Sequence, residues 1–179
     1  AGHGSSMAGI LVEGGNFDWM QNDKFPTMTK PYEGYHGLSF AEEFGPTAFT
    51  MKARAEGMRD FGPCLSPQNA WNVLQGIETL SVRMQKHCSN AEEMVKYLLA
   101  HESVAWVSHP SVPDHPDHAL AKKLLPNGRG SMIAFGIKGG KDAGVAFINN
   151  VKLASHLANV GDTRTLVIHP ASGTHSQMD

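Results

Sequence analysis

The segment Asn159-Val160-Gly161-Asp162-Thr163-Arg164-Thr165-Leu166-Val167-Ile168-His169-Pro170-Ala171-Ser172-Gly173-Thr174-His175-Ser176-Gln177 runs from a turn into a strand and stops at a proline. Asn-x-Gly-Asp is good turn chemistry, because Asn and Asp satisfy nearby backbone and Gly reaches backbone angles closed to other residues. Thr165 to Ile168 then reads as a short strand. Upstream, Ser131 to Ile137 reads as another strand, closed by Gly139-Gly140 before a helix from Ala143 to Asn150 and a short strand near Leu153. Further upstream, Ser103 to Ser108 reads as a strand and His118 to Leu125 as a short helix. Strands interleaved with helices imply an α/β layering.

The strongest helical signal lies before this region. Ser66 suits an N-cap and Pro67 the first helical position. Ala70, Leu74, Ile77, Ser81, Met84, Cys88, Ala91, Val95 and Leu98 then recur at steps of four and three, one buried stripe of a helix. The flanking positions lack the paired charges of a coiled coil. Continuous, such a helix would be about 50 Å long, which suits a larger protein; a break near Asn90 is expected. Pro46 to about Arg59 is also helical in pattern and ends at Gly62-Pro63, which places a domain boundary near Gly62 to Ser66.

Before Pro46 the pattern changes. Met7-Ala8-Gly9-Ile10-Leu11-Val12 is a short apolar run between glycines and reads as a buried strand. Residues 14 to 46 carry Phe17, Trp19, Phe25, Tyr32, Tyr35 and Phe40 among Gly, Pro and Asn without a sustained period. They read as a long ordered loop with short pieces of structure, the kind of loop that is often functional.

The composition is that of an ordinary globular protein, 41% hydrophobic and 18% charged with a net charge of -2. It argues against a nucleic-acid partner, since there is no basic stripe, and against a membrane span, since no run of about 18 apolar residues exists. Nor is there a basic n-region followed by an apolar h-region of a signal peptide. Cys64 and Cys88 form no CxxC pair, which favours a reducing, cytoplasmic setting. Cys88 falls on the apolar helical face; Cys64 precedes a helix start, yet no sequence neighbour is placed to activate it. His109, His115 and His118 have spacings found in zinc sites, but Pro110, Pro113 and Pro116 mark a loop and nothing completes a tetrahedral set, so no metal is expected.

Taken together, Gly2-His3-Gly4, Gly14-Gly15, Phe17 and Trp19, Glu43-Phe44-Gly45-Pro46, Ser66-Pro67-Gln68-Asn69, Gln75-Gly76-Ile77-Glu78-Thr79-Leu80, Arg83-Met84, His87-Cys88, Phe135-Gly136-Ile137-Lys138-Gly139-Gly140 and His169-Pro170-Ala171-Ser172 fall in one family's order. The chain resembles the Cys/Met-metabolism family of pyridoxal-phosphate enzymes, most closely its sulfhydrylase branch, over essentially all 179 residues. The resemblance implies an α/β fold: residues 1–62 as the end of the fold-type-I large, cofactor-binding domain, and residues 63–179 as most of the small C-terminal α/β domain. It implies pyridoxal 5'-phosphate as cofactor. The implied reaction is γ-replacement, in which O-acetyl-L-homoserine and sulfide or a thiol give homocysteine or methionine and acetate. It further implies a homo-oligomer, a tetramer, in the cytoplasm. The family's Schiff-base lysine would lie before Ala1 and its carboxylate-binding arginine after Asp179, so the chain is expected to be the C-terminal half of a longer enzyme and inactive alone. Related readings on the same scaffold are a methionine γ-lyase-like or cystathionine-forming enzyme; a reading of another class is a non-catalytic assembly module.

Two site residues follow. On spacing alone Asn159 is a turn asparagine; the resemblance places it against the substrate α-carboxylate, where an amide NH2 donates a hydrogen bond without adding charge. Thr174 is on its own an ordinary loop threonine; the resemblance sets its hydroxyl behind the carboxylate-binding arginine. Gly173 departs from the family's usual Thr or Met. None of the lysines stands where the family's catalytic lysine stands; all read as solvated.

Overall fold

In the computed structural model, which describes residues 2–177, the chain forms two compact units: residues 7–70, and residues 2–6 with 71–177. The first is built around aromatic side chains. A 3-10 turn at Trp19–Gln21 leads into helix α1 (Pro26–Thr29), a second 3-10 turn at Glu33–Tyr35, helix α2 (Phe40–Phe44) and helix α3 (Ala48–Lys52). Met28, Phe40 and Ala48 form the core, with Trp19, Phe25, Tyr32, Tyr35, Leu38, Phe44, Met51 and Ala55 packed on it; Phe40 is 1% exposed. The expected ordered loop is therefore a small aromatic core joined by single helical turns.

Polar caps fix these turns. Ser39 Oγ accepts from the Glu42 amide at 3.4 Å and donates to the Thr29 carbonyl at 3.2 Å, joining α1 to α2. The Glu13 carboxylate accepts from the amides of Phe49 (3.2 Å) and Thr50 (3.0 Å) and from the Thr50 hydroxyl. It caps the first turn of α3, whose amides have no partner within the helix. Burial pushes the Glu13 carboxyl up, but the bonds from Thr50 and Phe49 outweigh it and hold it below the usual carboxylate range. After Lys52 the helix widens into a π-helix, Ala53–Asp60. Lys52 Nζ lies over the rings of Tyr32 (4.8 Å) and Phe40 (4.7 Å) and pairs with Glu56 at 2.6 Å.

The run Met7 to Val12 is not a strand. It is exposed throughout, and no strand among the described residues pairs with it. Its pattern reports a demand for burial, and burial of a strand requires a neighbouring strand.

Helix α4 (Pro67–Glu78) starts as expected, with Ser66 Oγ accepting from the Asn69 amide at 3.2 Å. The break falls at Thr79 rather than near Asn90, and helix α5 runs from Leu80 to Ala100. Arg83 spans the break: Nε donates to Thr79 Oγ1 at 3.2 Å and Nη2 donates to the Gly76 carbonyl. The apolar stripe is buried only on α5, at Cys88, Ala91, Val95 and Leu98. Leu74 on α4 is 60% exposed, against 3% for Val95.

Strand β1 (Val104–Ser108) packs beside α5 and pairs antiparallel with β2 (Ala134–Ile137), with an irregular register between Val104 and Trp106. Between them lies α6 (His118–Leu124). Helix α7 (Gly140–Asn150) starts three residues earlier than its pattern suggests. Strands β3 (Ser155–His156) and β4 (Leu166–Val167) pair in parallel, Ser155 opposite Leu166 and His156 opposite Val167. This pairing brings together the two ends of the 157–165 segment and so presents the Asn159 turn. The short strand expected near Leu153 is β3, two residues further on, and Leu153 itself is exposed.

Candidate functional site

The turn that closes the parallel pair is organised by one buried carboxylate. Asp162 Oδ1 accepts from the Arg164 amide at 2.9 Å and from Arg164 Nε at 3.1 Å, and Oδ2 accepts from Arg164 Nη2 at 3.0 Å. Asn159 Nδ2 donates to Asp162 Oδ2 at 3.3 Å. The Arg164 guanidinium and amide hold the Asp162 carboxyl far below the usual carboxylate range. Its side chain is buried while that of Arg164 stays largely exposed. Gly161 takes a φ of 71°, the left-handed region that lets the chain reverse here.

Asn159 is exposed at the head of this turn. Its Oδ1 accepts from the Val160 amide at 2.9 Å, which fixes the orientation of the amide group. The NH2 carries two donors, and the Asp162 bond takes one. The other suits an anionic group arriving from solvent. Thr174 is exposed and shares a hydrogen bond of 2.9 Å with His175 Nδ1. The two expected site residues thus make separate local contacts. Between them, His169 Nδ1 meets Ser172 Oγ at 2.8 Å, and the ring lies on α7 where Gly144 leaves room; a Cβ there would stand 2.5 Å from Nε2.

The sequence reading missed the Asp162–Arg164 pair. The signal was a Gly-Asp-x-Arg string, in which the Asp reads as a turn former and the Arg as a solvated charge. It also missed that Gly2 belongs here: the Thr163 amide donates to the Gly2 carbonyl at 3.1 Å.

The histidine loop is held by hydrogen bonds. His109 is buried, with Nδ1 2.8 Å from Ser111 Oγ and Nε2 3.4 Å from the Gly130 carbonyl. His115 Nδ1 accepts from the Asp117 amide, and His118 Nδ1 meets the Pro110 carbonyl. Among the described residues no group of three or more His, Cys, Asp or Glu side chains could hold a metal ion, and no helix is long and apolar enough to cross a membrane. Cys88 is buried and Cys64 exposed, both as free thiols.

The profile of the Cys/Met metabolism PLP-dependent enzymes matches residues 1–179, and the chain belongs to that family. It is 51% identical over 177 residues to O-acetyl-L-homoserine sulfhydrylase 1 of Thermus thermophilus and 48% identical over 178 residues to homocysteine synthase of Schizosaccharomyces pombe. Each match covers 99% of this chain and 42% of the relative, so the chain spans less than half the length of these proteins. Among solved structures, a Campylobacter jejuni chain described as an O-acetylhomoserine (thiol)-lyase, carrying a pyridoxyl-lysine, superposes with a TM-score of 0.77 at 35% identity, covering 89% of this chain and 38% of its own. O-acetylhomoserine sulfhydrylase of Wolinella succinogenes gives 0.67 at 34% identity, covering 78% of this chain and 39% of its own. The fold is that of the fold-type-I PLP enzymes.

Proposed function

We propose that this chain is part of a pyridoxal-phosphate enzyme that carries out γ-replacement on O-acetyl-L-homoserine, with sulfide or a thiol as the incoming nucleophile. Acetate leaves Cγ and a C–S bond forms there, giving homocysteine or its S-alkyl derivative. The observation that carries this reading is 51% identity across 99% of the chain to a sulfhydrylase.

The chain's own contribution is to bind and orient the substrate. Asn159 donates its second Nδ2 hydrogen to the α-carboxylate, and the Asp162–Arg164 pair holds the turn that aims it. Preorganisation of this kind raises affinity because the turn is ordered before substrate arrives. Thr174 would steady the family's carboxylate-binding arginine, which makes a bidentate contact with the substrate. Lys52, paired with Glu56 and stacked on two rings, and Lys96, exposed and paired with Glu93, do not fit the cofactor's attachment site. Pyridoxal phosphate supplies the electron sink of this chemistry when bound.

Residues 1–62 would complete the cofactor domain and residues 63–179 form most of the small domain. The working protein would be a cytoplasmic tetramer. The free thiols of Cys64 and Cys88 support the reducing compartment, and the exposed Trp71, Leu74 and Ile77 of α4 support burial in a larger assembly.

The test is product analysis of the holoenzyme with O-acetyl-L-homoserine and sulfide. The reading expects stoichiometric acetate and homocysteine. Ammonia and a 2-oxo acid as the main products, the outcome of γ-elimination, would overturn it.

A further inference from the structure

Arg83 and the Asn159 turn lie in the same compact unit, and Gly2 stands between them. The Arg83 guanidinium is anchored on one side, with Nε donating to Thr79 Oγ1 and Nη2 to the Gly76 carbonyl. Its Nη1 end faces Gly2. A Cβ built on Gly2 would overlap Nη1 and stand 2.7 Å from the Gly161 carbonyl oxygen. Gly2 also has a φ of 83°, where side chains other than hydrogen are strained. Its carbonyl accepts the Thr163 amide at 3.1 Å, next to Asp162 and Arg164. The helix break at Thr79, the Gly2 backbone and the 159–164 turn thus form one continuous stack, thin enough to close only because residue 2 has no side chain.

We propose that Arg83, acting through Gly2, is a positioning residue that sets the height and angle of the Asn159 turn. This rests on Asn159 as the carboxylate donor of the preceding section. Arg83 touches no substrate itself. Its forked head spans three neighbours at once (Gly76, Thr79 and Gly2), a geometry that a lysine's single ammonium cannot reproduce. Arg83 lies just after the helix break and reaches back seven residues to the Gly76 carbonyl.

The holoenzyme tests this with Gly2→Ala, Arg83→Lys and Asn159→Ala, read by amide hydrogen exchange at Thr163 and by steady-state kinetics. Gly2→Ala and Arg83→Lys should each speed Thr163 exchange by about tenfold or more, as expected when a local hydrogen bond opens more readily. Each should raise KM for the amino-acid substrate roughly tenfold while changing kcat by less than about two-fold. A residue that merely helped the protein fold would lower kcat or yield without this split. If Thr163 exchange stays at the wild-type rate in both variants, the proposal is overturned, whatever the kinetics. If exchange quickens but KM rises only in Asn159→Ala, positioning by Arg83 is also overturned, and the carboxylate role stands. If Asn159→Ala leaves KM unchanged, the carboxylate reading fails, and with it the substrate-positioning role of Arg83.

Discussion

Asp162 and Arg164, two residues apart, meet in a forked ion pair, Nε to Oδ1 at 3.1 Å and Nη2 to Oδ2 at 3.0 Å, with the carboxylate buried and Asn159 bonded to its far oxygen. The turn that presents Asn159 is therefore held by charge as well as by backbone conformation. Its ordering should depend on the ionisation of a single carboxylate.

That dependence has a definite sign. The Asp162 carboxyl is depressed in the folded protein, so its contribution to stability is full above the ordinary aspartate value of about 3.9 and is lost as pH falls toward the folded value. Asp162→Asn should lower the unfolding midpoint at neutral pH, and the gap to wild type should narrow below about pH 4. Thermal unfolding followed from roughly pH 7 to pH 3 measures this. A gap that stays constant across the range would contradict it.

Glu13 makes a second, independent prediction, because it caps α3 from 36 and 37 residues away in sequence. Glu13→Ala leaves the Phe49 and Thr50 amides without their acceptor and should cost about 0.5–2 kcal/mol, the usual range for a lost cap. Glu13→Gln keeps one acceptor oxygen and should fall between the two. Exchange rates of the Phe49 and Thr50 amides should rise in the same order; equal rates in all three proteins would remove Glu13 from this role.

Phe40 is the centre of the aromatic core, and its ring also receives the Lys52 ammonium. Phe40→Ala should destabilise the residue 7–70 unit by about 3–5 kcal/mol through lost burial and the cavity it leaves. Denaturant unfolding followed by Trp19 fluorescence, with Trp71 and Trp106 replaced by Phe in both proteins, reads this. A loss under about 1 kcal/mol would mean that the core collapses around the gap.

Sequence proved most legible where structure is local. Ser66-Pro67 marks a helix start because the cap bond spans three residues, and Asn159-x-Gly-Asp marks a turn because the bond from Asn159 to Asp162 does the same. The break at Thr79 was hidden because the 74–98 apolar spacing is continuous across it, and the Arg83 bond back to Gly76, seven residues away, leaves no mark on that spacing. Met7 to Val12 has the composition of a strand, but pairing is a property of two segments, and none among the described residues meets it. The alliance of Gly2 with Gly161 and Arg83 spans the unit and leaves no periodic trace in the sequence.

We propose that Asn159 donates to the substrate α-carboxylate. Asn159→Ala in the holoenzyme removes one hydrogen bond to a charged group, about 1.5–3 kcal/mol. That corresponds to a fall of roughly ten- to a hundred-fold in kcat/KM. The most direct measurement is paired titration of wild type and Asn159→Ala with pyridoxal phosphate and with the amino-acid substrate. The account predicts weakened substrate binding with cofactor affinity unchanged. Loss of cofactor affinity with normal substrate binding would contradict it.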